Sequence, residues 1–316
     1  MSSASASPCQ ASKPVCSRSS VVYGRSRSGF TLVELLVVIA IITVLAGMTV
    51  GGALLVRNRA IEAAVVMDLK QLEMACQAYK EKFGEYPPDG RDLAAVARHL
   101  RKAFPRANIT VPPTLDPSTA LVFWLGGMRD STNTKFIGFS ADPSDPFQNE
   151  TTSPSRIGPF FDFDLNRLSA TPGTVSVTVN GTSKTVSSYQ YWPPRAEGDR
   201  NSNPIVYFRP ENGNYTTDGA NATANFTNVK QYNRVVWPAV DMRQSNLTAN
   251  PPICAWINPR GVQIFSSGLD VTYGNLTGVT ATVGTVLQYP DGTNYAPETM
   301  DDITNFSGGK LESAIP

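Results

Sequence analysis

The chain has 316 residues, 41% hydrophobic and 17% charged, with 27 basic against 26 acidic side chains and a formal charge of +1. That length allows one or two domains besides any anchor, and no basic run beyond Arg98-His99-Leu100-Arg101-Lys102 offers a face for nucleic acid. With His99 the sole histidine, poly-histidine metal sites are excluded, and a Ser-His-Asp triad would depend on that one residue.

Residues 1–29 are serine-rich, lack an apolar core and carry four charges, Lys13, Arg18, Arg25 and Arg27, all basic. They read as a leader to be set apart from the fold, and removing them leaves 23 basic against 26 acidic residues, a net charge of −3. Next comes a stretch without proline from Phe30 to Phe83, predicted to be one long helix. From Leu32 to Val56 it carries one charge, Glu34, and at about 1.5 Å per residue it would cover roughly 37 Å, enough to cross a bilayer core of roughly 30 Å. Positive charge ahead of the span predicts a cytoplasmic leader and an exported bulk. A secretory signal peptide is the rival reading. It is disfavoured because the run is too long and no small-x-small cleavage site follows before Arg57, Ala46-Gly47-Met48 being the nearest. A carboxylate within such a span is expected to be functional and to need a partner.

The run Gly29-Phe30-Thr31-Leu32-Val33-Glu34, preceded by basic residues and followed by an apolar helix, resembles the processing site of type IV prepilins and type II secretion pseudopilins. The resemblance implies cleavage between Gly29 and Phe30 by a prepilin peptidase, N-methylation of Phe30, and Glu34 as the fifth mature residue. Pairing of Glu34 with the Phe30 amine of a neighbouring subunit would then set the register of a filament. It also implies an inner-membrane assembly platform with a secretion ATPase, and other pilin-like subunits, as partners.

Beyond Arg57 the helix turns amphipathic. Ile61, Val65, Leu69, Leu72, Cys76, Tyr79 and Phe83 form one stripe at spacings of three and four, so this half is expected to pack on the downstream chain. Cys9 and Cys16 lie in the leader. An exported compartment would permit a Cys76–Cys254 bridge, but Cys76 falls on the stripe and reads as a small core residue. Gly84 and Tyr86-Pro87-Pro88-Asp89-Gly90 end the helix, in a turn that again resembles pseudopilins. Two short helices are predicted at Asp92–Phe104 and Pro117–Leu125, with His99 off the apolar face of the first and therefore solvated.

From residue 130 the composition predicts a β-rich region with long loops. Thr174–Val179, Asn180-Gly181 and Thr182–Tyr189 read as a hairpin, and Pro204–Phe208 and Gly261–Phe265 as core strands. Thr277–Tyr289 is expected to form a further pair turning near Gly284, and residues 209–234 a polar excursion without core contribution. Asp162 and Asp164 are placed on the solvent face of a strand, and Asp142 and Asp145 in turns. Asn-x-Thr triplets at Asn221, Asn225, Asn246 and Asn275 are read as composition.

No phosphate loop, HExxH or CxxC is present, so no enzymatic activity is expected. Near the C-terminus, 266–270 and 301–306 resemble the loop that binds Ca²⁺ in major pseudopilins. The resemblance implies Asp270, Asp301 and Asp302 as ligands, although Asn275 to Met300 intervene where that family has a few residues. The expected architecture is α+β: leader 1–29, long helix 30–83 with 32–56 in the membrane, and a globular head 84–316 whose antiparallel sheet packs on the helix's second half. The expected function is that of a structural subunit of a type II secretion pseudopilus. A type IV pilus or minor tip subunit with an adhesive or ligand-binding head, or a membrane-tethered binding domain on a pilin-type anchor, is the alternative.

Overall fold

The computed structural model describes residues 29–194, 203–223, 226–270, 272–274, 286–293 and 295–316, apart from the side chains of 49–52 and 54. The leader before Gly29, and the turn expected near Gly284, lie outside the described residues. Two compact units are distinguished, Met1–Ala53 and Leu54–Pro316. Helix α1, Leu32–Phe83, contributes to both.

In the first unit the helical side chains from Leu32 to Met48 are exposed on every side, Val33, Leu36, Ile39 and Leu45 among them. Among the described residues no helix is long and apolar enough to cross a membrane. The side chains of 49–52 and 54, inside the apolar run, are not part of that description.

In the second unit the predicted stripe is the spine of a core. Val65, Leu69, Leu72, Cys76, Tyr79 and Phe83 are buried, with Ile61 partly so. Period 3.6 carries them along one face of α1, and the downstream chain covers that face, as the pattern required. The helix ends where expected: the Gly84 N–H donates to Lys80 O at 2.7 Å. Helix α2, Leu93–Ala103, starts from Asp92, whose carboxylate accepts from Ala94 N at 2.8 Å. Helix α3, Ala120–Gly126, is buried throughout.

Three antiparallel sheets surround these helices. One joins Ile109–Val111, Gly173–Val179 and Thr182–Ser188. A second joins Met128–Arg129, Phe136–Ser140 and Arg156–Ile157. In the third, Gln263–Ser266 lies between Val206–Phe208 and Ile303–Thr304. The hairpin is in the register read from sequence, Val179 opposite Thr182, and both loop residues have positive φ, Asn180 at 52° and Gly181 at 79°, the geometry that favours Asn-Gly.

The third sheet separates two cores. Tyr207 and Ile264 pack with the α1 side, while Val206, Phe208 and Phe265 pack with a second cluster. A strand buried on both faces reads as a continuous apolar run, which accounts for Ile205-Val206-Tyr207-Phe208. The second cluster corrects the reading of 209–234 as a polar excursion, because Tyr215, Ala222, Phe226, Val229 and Tyr232 are all buried in it. Leu287–Tyr289 also departs from expectation. It pairs in parallel with Ala239–Asp241, whereas the other paired strands among the described residues are antiparallel.

One smaller correction concerns Asp162 and Asp164, which are not on a strand; Asp164 caps the 3-10 turn Leu165–Arg167, accepting from Asn166 N at 2.9 Å. Cys76 is a buried core residue as read, and it and Cys254 are both free thiols. Asp142 and Asp145 are turn residues as read, accepting from Ser144 N at 2.9 Å and Phe147 N at 3.1 Å.

Candidate functional site

The N-terminal segment is built around Thr31. Its hydroxyl accepts from Glu34 N at 3.2 Å, and Glu34 Oε2 accepts in return from Thr31 N at 2.9 Å and Thr31 Oγ1 at 2.8 Å. This is a capping box. The first backbone donors of α1 have no intrahelical acceptor, and Thr-x-x-Glu satisfies two of them reciprocally. The charge pattern alone missed this role, which Thr31-Leu32-Val33-Glu34 already spells. Phe30, one residue before the cap, is 80% exposed, and Gly29 beside it is exposed as well. Among the described residues nothing lies within 4 Å of the position a Cβ on Gly29 would take.

A second polar constellation lies where α1 ends, and it overturns the surface placement of His99. The imidazole is fully buried, 2.7 Å from Tyr79 Oη through Nε2 and 2.6 Å from Glu85 Oε1 through Nδ1. Burial pushes the histidine's pKa down and the tyrosine's up, so the neutral ring donates from Nδ1 to Glu85 and accepts the Tyr79 O–H at Nε2. Burial acts to raise Glu85, but the His99 hydrogen bond and the Arg209 and Lys102 charges prevail and bring it to about 2.

Arg209 extends the constellation. It contacts Glu85 at 3.3 Å and Glu211 at 3.0 Å, and donates to Tyr86 O at 2.9 Å. Its own N–H donates to Asp89 Oδ2 at 2.9 Å, and the buried Lys230 Nζ reaches the same oxygen at 2.7 Å. No serine or threonine hydroxyl completes a triad, since the ring's two nitrogens are taken by Tyr79 and Glu85. The arrangement ties the turn after α1 to residues 209–230.

The C-terminal acids do come together. Asp301 Oδ2 accepts from the N–H groups of Leu269 and Asp270, the latter at 3.0 Å, and Asp302 Oδ1 accepts from Gly268 N at 3.2 Å. Gly268 is required by space, since a Cβ there would lie 2.0 Å from Asp301 O. The expected Ca²⁺ ligands thus lie together, with Asp301 Oδ2, Asp302 Oδ1 and Asp270 Oδ1 taken by backbone N–H donors and Asp301 Oδ1 buried without a partner among the described residues, whereas a calcium ion needs six to eight oxygens turned inward. Among the described residues no group of three or more His, Cys, Asp or Glu side chains is placed to hold a metal ion, so the donor set as described falls short of a complete calcium site. Burial and the neighbouring Asp301 and Asp270 charges push the Asp302 carboxyl well above its ordinary value, despite the Gly268 hydrogen bond.

No curated protein and no solved structure matches the chain. Residues 24–50 match the family model of the prokaryotic N-terminal methylation motif, the segment carried by proteins of the type IV prepilin kind, which implies processing by a prepilin peptidase and assembly with other pilin subunits.

Proposed function

We infer that the chain is a structural, non-catalytic subunit of a type II secretion pseudopilus. The reading has the peptide bond between Gly29 and Phe30 cut and Phe30 methylated, with α1 leaving an inner-membrane assembly platform to enter a filament. A cytoplasmic ATPase would drive that assembly. The observation that carries it is the all-round exposure of the apolar side chains from Leu32 to Met48, within the segment that matches the methylation motif. A helix apolar on every face must be buried somewhere, in lipid before assembly and among other copies afterwards. In this reading 32–56 spans the inner membrane, residues 1–29 are cytoplasmic and the head is periplasmic.

The capping box sharpens the part assigned to Glu34. Oε2 closes the helix's own N-terminus, which leaves Oε1 to receive the methylated Phe30 amine of the next subunit. One carboxylate then orders its own helix and fixes the register of its neighbour. Glu34→Ala is expected to be cleaved but not assembled; normal filament yield from that variant would remove the role.

A second reading, a type IV pilus or minor tip subunit with a ligand-binding head, is favoured by the second core, to which α1 contributes no described residue. Filaments on overexpression of this chain alone would favour the first reading. Incorporation only in trace stoichiometry beside another subunit would favour the second.

A further inference from the structure

The second core opens on a groove of about 530 Å³, within the roughly 300–1,000 Å³ range of small-ligand sites. It lies at the matched ends of the parallel pair, where Asp241 is registered opposite Tyr289 and Met242 N donates to Tyr289 O at 2.9 Å. Its lining includes Trp256, Tyr289 and Phe306 with Asp241, Arg243 and Gln244. Tyr289 and Phe306 stand edge to face with centroids 5.3 Å apart, both half-buried.

Charge decides the ligand class. The Asp241 carboxylate holds Arg243 bidentately, at 2.8 Å to Nε and 2.9 Å to Nη2, and accepts from Gln244 Nε2 at 3.2 Å. The two charges cancel, so neither a phosphate nor a free cation finds an uncompensated partner. What remains is a set of planar donors and acceptors beside aromatic rings. Trp256 is 4% exposed, and its indole N–H has no acceptor among the described residues. The indole nitrogen itself is closed to solvent, so Trp256 serves the groove as part of its wall. Aromatic rings beside planar hydrogen-bonding groups suit a ring that is apolar on its C–H face and hydroxylated at its rim.

We propose that this groove binds a neutral pyranose residue of a saccharide, its C–H face on Tyr289 or Phe306 and its hydroxyls on Arg243 and Gln244. The proposal does not rest on filament assembly, and its readout does not depend on N-terminal processing.

The test uses the full chain in a detergent without a sugar headgroup. Glucose, galactose, mannose, N-acetylglucosamine and their short oligomers are titrated up to about 10 mM, followed by saturation-transfer NMR and calorimetry. Saturable binding of at least one of them is expected. Tyr289→Ala should weaken it about tenfold or more. Arg243→Lys, which keeps the charge opposite Asp241 but loses the planar fork, should do the same. Thr171→Ala, in a separate groove, should leave it unchanged. No saturable binding by any of these sugars would overturn the proposal, as would binding indifferent to both Tyr289→Ala and Arg243→Lys. Should Tyr289→Ala fail to fold, the Arg243→Lys result decides.

Discussion

His99 shows how much one side chain's surroundings matter. Its folded pKa lies below its ordinary value of 6.5, so near pH 7.5 the ring is neutral in both states. As pH falls through 6.5 the unfolded chain takes up a proton that the folded one refuses, and stability drops. Glu85 acts lower. Held at about 2 against an ordinary 4.5, it stabilises the fold fully above 4.5 and loses that contribution as pH falls toward 2. His99→Gln can still donate to Glu85 and accept from Tyr79. It is expected to lose roughly 1–2 kcal/mol at pH 7.5 and to abolish the first stage of acid loss. Thermal melts from pH 7.5 to 5 check this, and an unchanged slope in the variant would contradict it.

Asp302 runs in the opposite sense. Its folded pKa is raised, so the folded chain keeps a proton that the unfolded chain releases above 3.8, and this site weakens the fold as pH rises. Asp302→Asn keeps the acceptor for Gly268 N and removes that liability. It should be more stable than the parent at pH 7, with the gap closing toward pH 4. Calcium and chelator should leave the parent's melting temperature unchanged. A clear rise with calcium would instead restore the metal reading of Asp270, Asp301 and Asp302.

At the scale of elements, α1 divides by what covers it. Leu72 is buried against the head while Met74, two residues on, is 63% exposed. Leu72→Ala is expected to cost about 2–5 kcal/mol in chemical denaturation, and Met74→Ala no more than about 0.5. Equal effects would mean the stripe is not the packed face. Asp68 holds Arg167 through two hydrogen bonds, 3.1 and 2.5 Å, tying α1 to the 3-10 turn at Leu165–Arg167. Asp68→Asn should cost roughly 2–4 kcal/mol, read in the same denaturation series, because it strands a largely buried guanidinium.

The stripe, the Gly84 stop and the Asn-Gly hairpin could be read from sequence because periodicity and turn chemistry are local. His99 could not. The buried face of α2 is Ala95, Val96, His99 and Leu100, while Leu93 is half-exposed. The groups that receive His99 come from elsewhere in the chain, Tyr79 from α1 and Glu85 from the turn after it. Residues 209–234 failed for a related reason. Tyr215, Phe226 and Tyr232 are buried through loops and isolated bridges, whose spacing follows neither period.

At the scale of the molecule, the chain joins a helix apolar on all sides to a head with two cores. At the N-terminal site the sequence points to Gly29, Phe30 and Glu34, while the capping partnership of Thr31 is added by the structure, since attention to charge passes over the hydroxyl. Thr31→Val removes the cap and keeps the carboxylate, so it separates the two duties given to Glu34. Filament yield should fall less in Thr31→Val than in Glu34→Ala, and equal loss would assign the defect to the cap alone. The central claim is that this chain is cut and methylated before its helix is used. Mass spectrometry of the N-terminus of protein purified from its native membrane tests that claim directly. The account predicts N-methylphenylalanine at Phe30 as the first residue; a chain still beginning at Met1, or at any other residue, would contradict it.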